Sequence, residues 1–202
     1  SGWGTPIGNE LWFRILTGSS VQRGLYRTDG TANGTRLVTS HETGALIPVG
    51  PGVLLSADDG TQVGRELYLS DGTPAGTILI ADLMPTATRS SNPQVIGAFQ
   101  GRALVLGHEP ASGRELWLSD GTPAGTTLLM DLEPGPASFD FRGSAANDRQ
   151  IMITGPVANS DADPLFSDGT ARGTYQLDLF PSNSGFLASN PIAFGADRFL
   201  FS

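Results

Sequence analysis

The chain has no cysteine and no lysine, and only two histidines and three methionines, in 202 residues. Without cysteine there is no disulfide framework, no thiolate zinc site and no cysteine nucleophile. Without lysine, every one of the 12 cationic side chains is an arginine; they face 20 acidic residues, for a formal net charge of −8. An acidic surface repels a phosphate backbone, so no nucleic-acid partner is expected. No stretch approaches the ~20 apolar residues of a membrane helix, so no membrane insertion is expected either. No signal-peptide pattern stands at Ser1. A sustained helical period is missing as well, which leaves almost no α-helix to expect. Nucleophile elbows, phosphate loops and metal-binding histidine patterns are all absent, so the sequence offers no catalytic residue.

What is plentiful is turn-forming material: 27 glycines and 14 prolines. That suits many short strands joined by tight turns. A hydrophobic content of 39% is ordinary for a folded chain. The length fits one domain, residues 1–202, or one array of repeats.

Repeats are visible directly. Four times a strand-like stretch runs into Asp-Gly-Thr, followed three residues later by Gly-Thr, ending at Thr35, Thr77, Thr126 and Thr174. The aspartates are Asp29, Asp71, Asp120 and Asp168, spaced 42, 49 and 48 residues apart. A period of that size marks a supersecondary unit that is copied and stacked. In the cleanest copy, Gln94–Phe99 reads as a strand, Gln100-Gly101 as a turn and Arg102–Gly107 as a strand buried on both faces. After a loop come Glu115–Ser119, the Asp-Gly-Thr turn and Thr127–Leu132. Four antiparallel strands in about 48 residues are one blade of a β-propeller. The repeats run over about 1–43, 44–91, 92–140 and 141–189. The tail 190–202 restates two strands and stops. An all-β, five-bladed propeller with one thin blade is therefore expected, with a four-bladed ring closed by the tail, or a piece of a longer array, as the alternatives. In the thin-blade arrangement Asn190–Ser202 leaves a strand edge through which the chain could self-associate.

Each repeated Asp is expected to accept hydrogen bonds from the turn ahead of it, with glycine supplying positive φ. These four are therefore structural turn residues. Calcium is the one ion such a rim could hold, but it wants six or more oxygens and one carboxylate per repeat is too few. No metal or other cofactor is expected. Gly-Arg-Glu-Leu-Tyr/Trp recurs at 64–68 and 113–117, with Glu66 and Glu115 beside Arg65 and Arg114 as a surface charge pair or a bond to the adjacent turn. The aromatics Tyr26, Tyr68 and Trp117 stand three before Asp; Phe166 stands two before, as if that copy had lost a residue. One aromatic per blade packs between blades, or offers a platform to a sugar. Function is best sought in the variable connection between second and third strands, Gly18–Arg23, Asp58–Arg65, His108–Arg114 and Gly155–Asp163. The candidate ligand-binding residues there are Asp58, Asp59, Arg65, His108, Glu109, Arg114, Asp161 and Asp163, with Tyr26, Tyr68 and Trp117 beside them.

Glu115-Leu116-Trp117-Leu118-Ser119-Asp120-Gly121-Thr122 resembles the ELWxxDGT repeat of large bacterial proteins, common in myxobacteria and cyanobacteria. Glu66–Thr73 fits with Tyr for Trp, and the copies ending at Thr31 and Thr170 keep only Asp-Gly-Thr. The resemblance implies a secreted or cell-surface protein with tandem repeats and carries no catalytic residues. In size the chain also resembles five-bladed lectin propellers, a likeness of fold alone. The expected function is a non-enzymatic extracellular binding or adhesion module that offers one face to a protein or polymer. The alternative is a lectin-like domain with one shallow polysaccharide site per blade.

Overall fold

The computed structural model describes residues 4–16, 23–50, 52–60, 63–85, 90–131, 135, 139–155, 163–177, 191–195 and 198–200. Among them there is no helix. Sheet 1 contains β1 (Gly4–Ile7), β2 (Glu10–Ile15), β3 (Gly24–Thr28) and β4 (Arg36–Thr39). Sheet 2 contains β5 (Glu42–Val49), β6 (Gly52–Asp58), β7 (Arg65–Ser70) and β8 (Thr77–Ala81). Sheet 3 contains β9 (Gln94–Phe99), β10 (Arg102–Glu109), β11 (Gly113–Ser119) and β12 (Thr127–Met130). Sheet 4 contains β13 (Gly143–Ala146), β14 (Ile151–Thr154), β15 (Leu165–Ser167) and β16 (Tyr175–Gln176). A final hairpin pairs β17 (Ile192–Phe194) with β18 (Arg198–Leu200). Every pairing is antiparallel between chain neighbours, so each repeat is a meander, as the sequence led us to expect.

The second strand of each sheet explains how the sheets stack. An exposed antiparallel strand alternates apolar and polar residues, whereas β6 and β10 are apolar almost throughout and buried along most of their length. In β6, Val53 and Leu55 face sheet 1, joining Trp12, Leu25 and Val38, while Leu54 faces sheet 3. In β10, Val105 faces sheet 2 and Leu104 and Leu106 face sheet 4. Consecutive sheets thus share three cores, and the first strands β5, β9, β13 and β17 touch in succession. Among the described residues no comparable contact returns from the hairpin to sheet 1. Since β1 is already the first strand of sheet 1 and β17–β18 a separate pair, the tail does not complete the first repeat.

A bulge recurs in three of the sheets. Register shifts between Leu25/Tyr26, Leu67/Tyr68 and Leu116/Trp117, each time against the outer strand. The extra residue is Val38, Ile80 or Leu129, and each turns toward the core shared with the following sheet. A bulge re-aims a side chain at the cost of one unpaired residue. Here it lets a short edge strand add an apolar group to the next interface.

Candidate functional site

A meander has two ends, and they differ here. At one end lie the first-to-second turns and the Asp-Gly-Thr turns, and the bonding of the Asp-Gly-Thr turns is nearly identical in all four repeats. Asp71 Oδ1 accepts from the Thr73 amide at 2.9 Å and the Thr73 hydroxyl at 2.7 Å. The Gly76 amide donates to that threonine oxygen at 3.0 Å, and the Thr77 hydroxyl donates to the Thr73 carbonyl at 2.8 Å. Ser70 closes the turn through the Thr77 hydroxyl at 2.8 Å and accepts from the Gly72 amide at 3.1 Å. Asp29, Asp120 and Asp168 repeat these contacts. The threonine hydroxyl and amide hold all four carboxyls below the usual aspartate range. A Cβ at Gly76 would stand 2.0 Å from Asp71 Oδ1, so glycine there is a packing requirement. Gly72 has φ +90 and lies against Arg27; Gly121 lies against Leu69, and Gly169 against Phe99. The turns of sheets 2, 3 and 4 thus rest on the preceding sheet, while Gly30 of the first meets open space.

At the other end lie the second-to-third connections and the linkers between sheets, and here the repeats diverge. Glu66 and Glu115, expected as a surface charge pair or a bond to the adjacent turn, are both fully buried, which removes the surface reading. Glu66 accepts from the Leu83 amide at 3.0 Å, the Ser91 amide at 2.7 Å and the Ser91 hydroxyl. These donors belong to the 12-residue linker 82–93 between β8 and β9. The clamped linker then reaches sheet 3, where the Ser91 carbonyl accepts from the His108 amide at 2.9 Å and Leu83 packs onto Gly107. Burial pushes the Glu66 carboxyl up, against the pull of the Ser91 hydrogen bonds. Counting back five residues from the repeated Asp, the first copy has Gly24 and the fourth Asp163, both buried. The linker after sheet 1 is only Ser40 and His41, with nothing for a carboxylate to clamp. That missing stretch is the short first period.

The short linker leaves the junction of sheets 1 and 2 unroofed. One recess there is lined by Ser40, His41, Glu42, Asp58, Asp59 and Gly60. A second shares Ser40, His41 and Glu42 and continues to Arg14, Leu16 and Arg23. The two form a groove with a carboxylate wall and a guanidinium wall. Arg65 holds Glu42, its guanidinium donating to the Glu42 carbonyl and carboxylate at 3.2 Å each. Asp58 Oδ1 accepts from the Gly60 amide at 2.9 Å. His41 stands edge-on to Tyr68, ring centroids 5.7 Å apart, with its Nδ1 buried and without a hydrogen bond. Burial first, then the Asp59 carboxylate beside it, push the Tyr68 hydroxyl well above the usual phenol range.

The remaining candidates are placed differently from what the sequence suggested. His108 and Glu109 do not open a loop: they end β10, opposite Arg114 and Gly113. Glu109 caps the tight turn, accepting from the Ser112 amide at 3.0 Å and hydroxyl at 2.7 Å, and Arg114 donates to Gln94 at 2.6 Å. Burial and Arg114 together lower the His108 pKa. Asp161 lies outside the described residues, and Asp163 is buried. Tyr68 is 2% exposed and belongs to the core between sheets 1 and 2. Trp117 is half-buried and donates to the Gly107 carbonyl at 3.3 Å, and Tyr26 is stacked on Phe13. Phe166 pairs with Met152 and Leu165 with Ile153, so no residue has been lost. The aromatic has moved one position, to the opposite face. His41, one of the two histidines, stands outside the candidates read from the sequence, and so does Glu42; the signal that could have found them is the shortened first period.

No protein-family model matches the chain, and no curated protein matches it significantly in sequence. Its resemblance to the ELWxxDGT repeat rests on the repeat residues themselves.

Proposed function

We propose that the chain is a non-enzymatic binding module of the ELWxxDGT-repeat type, a row of four β-propeller blades and a thin fifth, acting outside the cell or on its surface. The groove between the first two blades is its recognition surface. The observation that carries this is the contrast between the two ends. The Asp-Gly-Thr end satisfies its own polar groups in the same way four times, leaving nothing to distinguish a partner. The groove opposes carboxylates to arginines and keeps a buried, unbonded His41 nitrogen. Opposed walls of that kind suit a polar segment carrying both charges, from a protein or polymer partner.

Polysaccharide binding at one site per blade is the second reading, favoured by the Asp58–Asp59 wall beside His41. Against it stands the burial of Tyr68, which removes the flat stacking surface a sugar platform needs. The deciding experiment screens the chain against immobilised polysaccharides and cell-surface proteins, then repeats each hit with Arg14→Glu and Asp59→Ala. Binding lost with either substitution supports the groove; binding untouched by both, or turnover of a bound polymer, refutes it.

A further inference from the structure

Every interior sheet has a leading face, packed on the sheet before it, and a trailing face, packed on the sheet after it. On sheet 2 the leading face presents Val53, Leu55 and Tyr68, all at most 2% exposed. Register identifies the same positions on sheet 1: Leu55 pairs with Tyr68 as Phe13 pairs with Tyr26, which puts Leu11 in the place of Val53. Yet Leu11 is 45% exposed. At the far end, the hairpin turns Phe199 toward sheet 4, edge-on to Phe166 at 5.5 Å. Strand alternation then turns Ile192, Phe194 and Leu200 the other way, and they are 61%, 60% and 59% exposed.

We propose that a second copy of this chain covers these two faces, the β17–β18 hairpin of one copy seating on sheet 1 of the other. The two surfaces are the halves of an interface the fold already builds between its own sheets, a trailing face meeting a leading one. The hairpin is two strands wide and sheet 1 four. The hairpin supplies only a first and a second strand, and the exposed Leu11 lies on the second strand of sheet 1, within reach of such a pair. Within one chain the two faces stand at opposite ends of the row, with no contact between them comparable to that of neighbouring sheets among the described residues. Two reciprocal contacts pair both faces within a two-copy assembly, as closed symmetry requires. The inference goes beyond the binding groove, which lies at another junction, and does not depend on it.

Sedimentation equilibrium of the purified chain provides the test. The expected result is a species of twice 21.1 kDa that dissociates on dilution. Phe194→Glu and Leu11→Glu should each raise the dissociation constant at least about tenfold while leaving the circular dichroism spectrum unchanged. Mixing the two variants should give a heterodimer tighter than either variant alone but weaker than the wild-type dimer, because the Leu11→Glu hairpin on the Phe194→Glu sheet 1 is one intact contact while the reciprocal contact carries both substitutions. Should either charge disturb folding, Ile192→Ser and Leu11→Ser form a milder pair with the same expected complementation. A monomeric wild-type chain, a dimer indifferent to both substitutions, or variants that do not complement would each overturn the proposal.

Discussion

Replacing Glu66 with alanine should be among the most damaging single substitutions in the chain, although the sequence reads the residue as part of a surface charge pair or as a bond to the adjacent turn. Its carboxylate serves three donors at once, the amides of Leu83 and Ser91 and the Ser91 hydroxyl. Leu83 is 5% exposed and Ser91 is fully buried, so water does not readily replace the lost acceptor. Each buried donor left without a partner costs about 1–3 kcal/mol. The hydroxyl can rotate to another acceptor, so the two amides dominate, and relief of the carboxylate's own desolvation offsets part of the loss. The net cost should be about 3 kcal/mol. For a domain of this size that is a fall in melting temperature of roughly 10 °C. Urea unfolding of wild type and variant measures the free energy, and hydrogen exchange at the Leu83 and Ser91 amides locates it. Glu66→Gln should fall between the two, since one amide oxygen can still accept while its NH2 confronts a donor. A Glu66→Ala chain within about 0.5 kcal/mol of wild type, with both amides still protected, would refute the clamp.

Three further outcomes are expected. Gly76→Ala places a methyl 2.0 Å from Asp71 Oδ1, so Asp71 must swing off Thr73; the melting temperature should drop more than for Gly8→Ala, which meets open space and bears only a left-handed backbone cost of about 1 kcal/mol. Stability against pH should show two opposing limbs. The four turn aspartates have lowered pKa values, so their contribution is present above about pH 3.9 and lost as pH falls through the folded values beneath it. The Glu66 pKa is raised, so its contribution is present below about pH 4.3 and lost as pH rises through the folded value. Urea midpoints should therefore improve in the wild type as pH falls from neutral through the raised Glu66 value to about 4.3, and not in Glu66→Gln. Finally, Leu104→Ala, at a fully buried site shared by sheets 3 and 4, should cost about 2–5 kcal/mol. Leu128→Ala, 41% exposed on an outer strand, should stay within about 1 kcal/mol of wild type in the same unfolding assay.

The all-β class and the four-stranded meander were legible because turn chemistry and apolar runs mark strand limits locally. Arg102–Gly107 announced its two-sided burial by lacking alternation, and the structure covers both faces of β10. Gly143–Ala146 escaped notice: Gly-Ser-Ala-Ala has no β-branched or aromatic residue, and it is a strand because Ile151–Thr154 pairs with it. The burial of Glu66 was equally hidden, because its three donors lie 17 and 25 residues downstream in a linker with no motif of its own. Phe166 was misplaced by seeking the nearest aromatic, when counting back from Asp168 would have identified Leu165 as the residue in the place of Trp117. The groove between sheets 1 and 2 follows from something missing, a linker of ordinary length, and single residues do not advertise that.

Glu66 and the donors it serves lie within one continuous segment, 66–91, shorter than the 49-residue period that follows Asp71. A duplication of one whole period therefore copies the acceptor together with the donors that satisfy it. Gly24 and the two-residue Ser40–His41 connection travel together in the same way. Unequal recombination can lengthen or shorten such an array without orphaning a buried charge. An exchange breaking inside the segment would separate Glu66 from Leu83 and Ser91 and be removed by misfolding. On physical grounds the clamp thus disfavours breakpoints inside 66–91, and a linker and the residue that clamps it are expected to move as one unit.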